Sequence, residues 1–269
     1  MRFRFGKNWK KYVQKRFSEE RVEIAKNHML NFLNVQDLRG KYFLDIGCGS
    51  GLHSLAAVRA GASRIVSFDF DQDSVDATSI LKGLADDPEH WTIMRGSILD
   101  DDFLSKLERA DVVYSWGVLH HTGSMWQAFS NTVPLMNDDG ILYIALYEGL
   151  PVSGRPMSFW MEVKHNYNRT GWLGKKKIEV WFFWDCLLQK RWSNLPDILR
   201  QTREYKNVRG IGRGMDMYRD VVDWVGGWPM EYASAQEVQS FAREKLSLTL
   251  VNLKTGEANA EYLFQRSSS

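Results

Sequence analysis

An alternating α/β fold, with a mostly parallel sheet of seven strands and helices on both faces, is what this sequence predicts. Three observations carry that expectation. Short apolar runs alternate with helix-period segments between Tyr42 and Tyr147, a glycine cluster follows the first run, and two more apolar runs stand near the C-terminus. Parallel neighbours need a crossover, and a helix is the usual one. A chain of 269 residues, 44% hydrophobic and 25% charged, has ample material for a buried core.

The elements follow in order. Ser18, a good N-cap, opens a helix through Leu33 with apolar residues at Val22, Ile24, Ala25, Met29 and Leu33. After the turn at Arg39-Gly40 come strand Tyr42–Ile46, helix Leu52–Arg59, strand Arg64–Phe68, helix Ser74–Leu84 and strand Trp91–Arg95. Helix Asp102–Leu107, strand Asp111–Ser115, helix Ser124–Met136 and strand Ile141–Tyr147 complete the alternation. Helix Ala235–Lys245 then precedes apolar runs at Leu246–Leu253 and Tyr262–Phe264, which are expected to close the sheet as an antiparallel hairpin. The organisation read from this is a helical N-terminal segment over residues 1–36, a core over residues 37–149 and 232–266, and an inserted helical lid over residues 150–231. The insertion holds seven of the eleven tryptophans.

Composition excludes several function classes. A net charge of +2 is too small to steer a nucleic acid or a membrane by itself. Its distribution is uneven, because residues 151–230 hold fourteen Lys or Arg against eight Asp or Glu and the rest of the chain is net acidic. Cys48 and Cys186 have no companion at metal-ligand or redox spacing, so neither a disulfide framework nor a metal site is expected. Residues 1–16 interleave basic and aromatic residues and lack the apolar run of a leader. No stretch reaches the ~18 apolar residues of a spanning helix, so a cytoplasmic location is the expectation.

The informative segment is Phe43-Leu44-Asp45-Ile46-Gly47-Cys48-Gly49-Ser50-Gly51, at a strand's carboxyl end and just before a helix. Open α/β sheets bind nucleotides at such places. A dinucleotide fingerprint would need its third glycine at position 52, where Leu52 stands, so the spacing is G-x-G-x-G. Asp45 could organise the loop and a ligand's ammonium group. Asp69, eighteen residues beyond Gly51, ends the next strand, where a carboxylate can accept ribose hydroxyl protons. Alternatively, Asp69 or Asp71 caps the helix near Ser74.

On these residues the stretch 41–147 resembles the class I S-adenosylmethionine-dependent methyltransferase domain, a Rossmann-like fold. Within that class it is most similar to the quinone-biosynthesis, type 11–12 subgroup. The resemblance implies S-adenosylmethionine as cofactor. It places Asp45, Gly47, Cys48, Gly49 and Gly51 at the cofactor loop, Asp69 and Phe70 around ribose and adenine, and Ser97 with Ile98 at the adenine amine. Many relatives carry an acidic residue where Ser97 stands.

Methyl transfer from a sulfonium is an in-line displacement, and a hydroxyl acceptor must also lose its proton. Tyr114-Ser115-Trp116-Gly117-Val118-Leu119-His120-His121-Thr122 follows the fourth strand and is expected to face the same crevice. His120 and His121 are the candidate bases, His121 favoured as nearer the open end; as an alternative, both hold the loop. Ser115 could offer a carbonyl to the cofactor's ammonium, Trp116 could wall the cofactor, and Tyr147 and Glu148 are further rim candidates. The chain lacks the Asn/Asp-Pro-Pro-Tyr sequence of amine methylation, the Pro-Cys nucleophile of cytosine methylation and the acidic pair of magnesium-dependent catechol enzymes. A small-molecule, sugar or lipid-like acceptor, methylated on oxygen or else carbon, is left.

Trp9, Arg213, Trp224, Trp228 and Tyr232 are the candidate substrate contacts, although the insertion's tryptophans could instead pack its own small core. Lys175-Lys176-Lys177, before an apolar helix over Ile178–Leu188, could meet a membrane surface, a phosphate or a second copy of the chain. A solvated face is the commoner use of a lysine run. Two rival functions stand beside the small-molecule enzyme: an RNA methyltransferase using the basic aromatic insertion, and a cofactor-binding protein without turnover.

Overall fold

The structure is a computed structural model that describes residue 3 and residues 5–16, 18–204 and 217–267. Its strands are β1 Tyr42–Ile46, β2 Arg64–Asp69, β3 Trp91–Arg95, β4 Ala110–Trp116, β5 Met136–Tyr147, β6 Leu248–Lys254 and β7 Asn259–Arg266. They form one sheet in the order β3-β2-β1-β4-β5-β7-β6. The first five run parallel, while β7 pairs antiparallel with both β5 and β6. The expected seven strands and closing hairpin are therefore present. Strand order reverses between β1 and β4, and there the carboxyl ends of adjacent strands diverge to leave a crevice. Register sets Asp45 beside Ser67 on one side and Tyr114 on the other.

In chain order the α-helices are α1 Phe5–Arg16, α2 Glu19–Leu33, α3 Leu52–Arg59, α4 Gln72–Leu84, α5 Asp101–Leu104, α6 Met125–Thr132, α7 Met157–Arg169, α8 Trp172–Phe182, α9 Leu195–Glu204, α10 Met217–Gly226 and α11 Ala235–Leu246. Successive strand side chains point to opposite faces, so each buried strand feeds two cores. Phe43, Ile65, Tyr114 and Tyr143 pack against α2, α3 and α4. Leu44, Val113, Leu142 and Ile144 pack against α6 and α11. Each such side chain removed from water contributes about 1.5–3 kcal/mol. Local signals agree with the placement: the Ser18 hydroxyl accepts the Arg21 N–H at 3.4 Å, and Ser234 with Glu237 forms a capping box on α11.

Several boundaries differ from expectation. The helix expected to reach Met136 stops at Thr132, because Pro134 has no N–H to donate and Val133–Leu135 tighten into a 3-10 turn. Met136 already pairs with Ala110, so β5 begins before Ile141, with a register shift between Ala110 and Val112. The expected helix Asp102–Leu107 is only α5, whose first turn is capped by the Asp100 carboxylate accepting the Phe103 N–H at 3.0 Å. The basic aromatic helix starts at Trp172 rather than Ile178, which puts Lys175–Lys177 inside it. Its continuation over Phe183–Leu187 is a π-helical turn.

Between β5 and α11 the chain builds a third apolar cluster, with Trp160, Tyr167, Phe182 and Val225 buried and Trp181, Trp224 and Trp228 packed at its margin. Most of the insertion's indoles thus serve its own core. Gly51 proves to be a packing residue of the main core. Its φ is +79°, and a Cβ there would stand 2.8 Å from Thr78 Cγ2. Gly51→Ala is expected to lower stability by about 2 kcal/mol or more, through left-handed strain plus overpacking against α4, read as a drop in denaturant midpoint at constant slope.

Candidate cofactor and acceptor site

A cavity of about 890 Å³ occupies the crevice at the β1/β4 reversal. Asp45, next to last in β1, is buried in its wall and accepts the Ser54 hydroxyl proton at 2.5 Å. The Ser54 hydroxyl lies 2.7 Å from that of Ser67, and Ser67 takes the Trp91 indole N–H at 2.8 Å. An indole can only donate and an ionised carboxylate can only accept, so the chain of donors runs from Trp91 through Ser67 and Ser54 into Asp45. Burial raises the Asp45 carboxyl to about 7 against the help of Ser54, and the neighbouring Asp69 adds to the rise.

Asp69 closes the glycine loop. One carboxylate oxygen accepts the Gly49 N–H at 3.1 Å and the other the Asp71 N–H at 2.8 Å. Burial raises its carboxyl to about 6. Asp71 caps α4 through the Asp73 N–H at 3.0 Å and also accepts the Gly6 N–H of α1 at 3.1 Å. The helix-capping alternative thus holds for Asp71, while Asp69 faces the cavity. Among the described residues no lysine or arginine forms an ion pair with Asp45 or Asp69. Cys48 also lines the cavity; burial, Asp69 and Asp45 push its thiol well above the ordinary range, and it accepts a hydrogen bond from Thr78 at 3.3 Å.

The opposite wall comes from distant parts of the chain. His121 Nδ1 donates to the Pro229 carbonyl at 2.7 Å, and Phe5 packs on the same imidazole at 4.9 Å. His120 Nδ1 accepts the Tyr147 N–H at 3.2 Å, and the two rings stack at 3.9 Å. Burial, His121 and Lys164 hold His120 well below the usual imidazole range. Behind Tyr147 the fully buried Lys164 donates to the Trp224 carbonyl and lies 4.3 Å from the Trp224 ring centre; burial pushes its ammonium down to about 7. Segment 3–16 bridges both walls: Phe3 N–H donates to Trp228 O at 2.9 Å, while Lys10 pairs with Asp76 at 3.2 Å.

With this geometry in view, residues 44–142 match a family described as "methyltransferase domain". Residues 44–142 are a class I methyltransferase domain. The tRNA U34 carboxymethyltransferase of Colwellia psychrerythraea is 36% identical over 91 residues, 34% of this chain and 27% of that protein. The ribosomal protein L11 methyltransferase of Tolumonas auensis is 41% identical over 49 residues, 18% of this chain and 17% of that one. The chain therefore spans about a quarter or less of the length of these curated relatives. The magnesium protoporphyrin IX methyltransferase of Synechocystis, solved with bound S-adenosylhomocysteine, has the same fold at a TM-score of 0.52 and 13% identity, over 95% of this chain and 88% of that one.

The methyltransferase domain fits S-adenosylmethionine on its own geometry. The cofactor brings an ammonium and a sulfonium, and the cavity offers Asp45 and Asp69, with which no lysine or arginine among the described residues is paired; a diphosphate would be repelled by the same groups. At Gly117, with φ +72°, a Cβ would meet nothing within 4 Å, so the backbone there lies open. Phe70, Ser97, Ile98 and Trp116 line the cavity as expected, and so do Trp9 and Trp224. Five expected residues do not. Gly51 packs on α4, and Ser115, expected to offer its carbonyl, is not in the lining: alternation sends the Tyr114 and Trp116 side chains to the cavity and the Ser115 hydroxyl to Ile46 O at 3.1 Å. Trp228 packs in the insertion core beside His165, and Tyr232 is exposed next to Gly149. Glu148 accepts the Gly256 N–H at 3.1 Å instead of forming the rim, and Arg213 lies outside the described residues.

Sequence reasoning missed His53, Tyr114, Phe5, Asp220 and Asp223 in the lining. His53 had a usable signal, standing in the first turn of the helix after the glycine loop; the others are brought there by tertiary packing. Because Asp45 and Asp69 must be ionised to hold a cationic group, their raised pKa values mean that binding strengthens as pH rises through 6 and 7. Titration calorimetry with S-adenosylhomocysteine is expected to show roughly tenfold tighter binding at pH 8 than at pH 5.5, and Asp45→Asn to flatten that profile. A pH-independent affinity in the unsubstituted protein would exclude these carboxylates as the counter-charges.

Proposed function

We propose that this protein transfers the methyl group of S-adenosylmethionine to an oxygen of a small, largely apolar acceptor, with His121 as the base. The observation that carries the reading is the hydrogen bond from His121 Nδ1 to the Pro229 carbonyl. A carbonyl can only accept, so Nδ1 is the donor in this bond, and in the neutral ring Nε2 is then the basic nitrogen. His121 is thus anchored through Nδ1 at the cavity wall, and its neutral form is suited to taking the proton of an acceptor hydroxyl. His120 is bound the other way round. Its Nδ1 is occupied by the Tyr147 N–H and its burial keeps it neutral, so its part is to stack on Tyr147 and shape the wall.

When bound, S-adenosylmethionine supplies an electrophilic methyl group on a positively charged sulfur. Asp45 and Asp69 would hold its amino-acid and ribose ends, and Phe70, Ile98 and Trp116 would flank the nucleoside. On the acceptor side the lining is mostly Phe5, Tyr147, Val152, Phe182, Leu187, Met217, Val221 and Trp224. Such a surface excludes water and orients an apolar ring or chain for in-line attack. Asp71, Asp220, Asp223 and Glu257 also line the cavity, against Arg95 as the one Lys or Arg among the described lining residues. That balance favours a neutral acceptor over a phosphate-rich RNA strand.

The test is transfer of isotope-labelled methyl from S-adenosylmethionine to a panel of apolar phenols and related hydroxyl compounds. His121→Ala is expected to lower kcat about 10²-fold or more while leaving S-adenosylhomocysteine affinity unchanged. Tight S-adenosylhomocysteine binding with no transfer to any hydroxyl acceptor would instead favour a cofactor-binding protein without turnover.

A further inference from the structure

The segment that walls the acceptor side has a second face. Phe182 and Leu187 of α8 and its π-helical continuation line the cavity. On the outside of the same helix Trp172, Leu173 and Val180 are 70%, 68% and 66% exposed, and Phe183 one turn on is exposed as well. At 100° per residue the first three share a sector about 100° wide; Lys176 falls inside it but is paired with Glu179 at 2.6 Å, and the exposed Lys177 stands about 40° beyond its edge. The neighbouring turn adds Trp192, 67% exposed and packed on Trp184 with ring centres 4.8 Å apart, directly after the exposed pair Lys190-Arg191. Large apolar side chains seldom gather in the open without a partner.

We infer that this face of α8 and the Trp192 turn docks on the surface of an anionic lipid bilayer. Charge selects that occupant. Residues 151–230 hold fourteen Lys or Arg against eight Asp or Glu, and beside the apolar face stand the exposed Lys177 of α8 and Arg191 of the Trp192 turn, while α8 itself has no exposed acid. A two-fold contact with a second copy would bring two such basic faces together. An anionic headgroup layer receives them instead, while indole and leucine side chains settle at the headgroup and acyl boundary. No described helix is long and apolar enough to cross a membrane, so the contact is with the surface. The inference does not rest on the proposed reaction, because docking is measured without turnover.

The test is co-sedimentation of the full chain with phosphatidylcholine vesicles, with and without phosphatidylglycerol. Retention on the anionic vesicles is expected to exceed that on the neutral ones at least fivefold and to fall when salt is raised to about 0.5 M. The triple substitution Trp172→Ala, Leu173→Ser, Val180→Ser is expected to abolish retention, and Lys177→Glu with Arg191→Glu to do the same. An unchanged thermal midpoint and S-adenosylhomocysteine affinity show that each variant is folded. Equal retention on both vesicle types, or retention that survives both variants, overturns the inference. So does a vesicle-free dimer, seen by sedimentation velocity, that the triple substitution dissociates, since a second copy would then own the face.

Discussion

Two carboxylates side by side, neither of them ion-paired with a lysine or arginine among the described residues, set the terms for everything built around the crevice. Asp45 and Asp69 stand at the carboxyl ends of adjacent parallel strands, where a low dielectric makes an unpaired negative charge costly and its attraction for a cation large. The surrounding structure answers with donors alone. Trp91, Ser67 and Ser54 pass hydrogen bonds toward Asp45, and Gly49 with Asp71 gives backbone N–H groups to Asp69. Those bonds also fix the loop, because Asp69 can hold Gly49 only if the backbone turns back over the end of β2. Electrostatics and loop conformation are thus one arrangement.

Around that centre the acceptor wall is assembled from segments far apart in sequence. Phe5 comes from α1, His121 from the turn after β4, Tyr147 from the end of β5 and Trp224 from α10. Lys164 ties the last two together from behind, its ammonium bonded to the Trp224 carbonyl and set over both rings. A lysine wholly removed from water is tolerated there because a carbonyl and two aromatic faces share its charge. The N-terminal segment holds the two walls together through Gly6 to Asp71 and Phe3 to Trp228.

The second apolar face of the insertion has the same origin as its first. A helix with aromatic and aliphatic residues around most of its circumference can bury one side against Trp160 and Tyr167, but the remaining side stays outside. Trp181 and Phe182 go inward while Leu173 and Val180 stay out. The amphipathic division is therefore set by which residues reach the third core, and of the three lysines it is Lys177 that stays exposed.

Alternating apolar runs and glycines were enough, by themselves, to determine the strand sequence, the parallel sheet with its closing hairpin, and the places of Asp45, Asp69 and the two histidines, because period-two and helical patterning act over a few residues at a time. Boundaries failed where a single residue overrode the pattern, as Pro134 did at the end of α6 and as the early start of α8 did at Trp172. Only the tertiary structure decided that Ser115 turns from the crevice while Tyr114 enters it, that Gly51 serves α4, and that Nδ1 accepts in His120 but donates in His121. Those outcomes depend on partners such as Ile46, Thr78, Tyr147 and Pro229, which are up to 108 residues away in the chain. No local pattern contains them, since a hydrogen bond or a close packing contact exists only once both of its ends have been folded together.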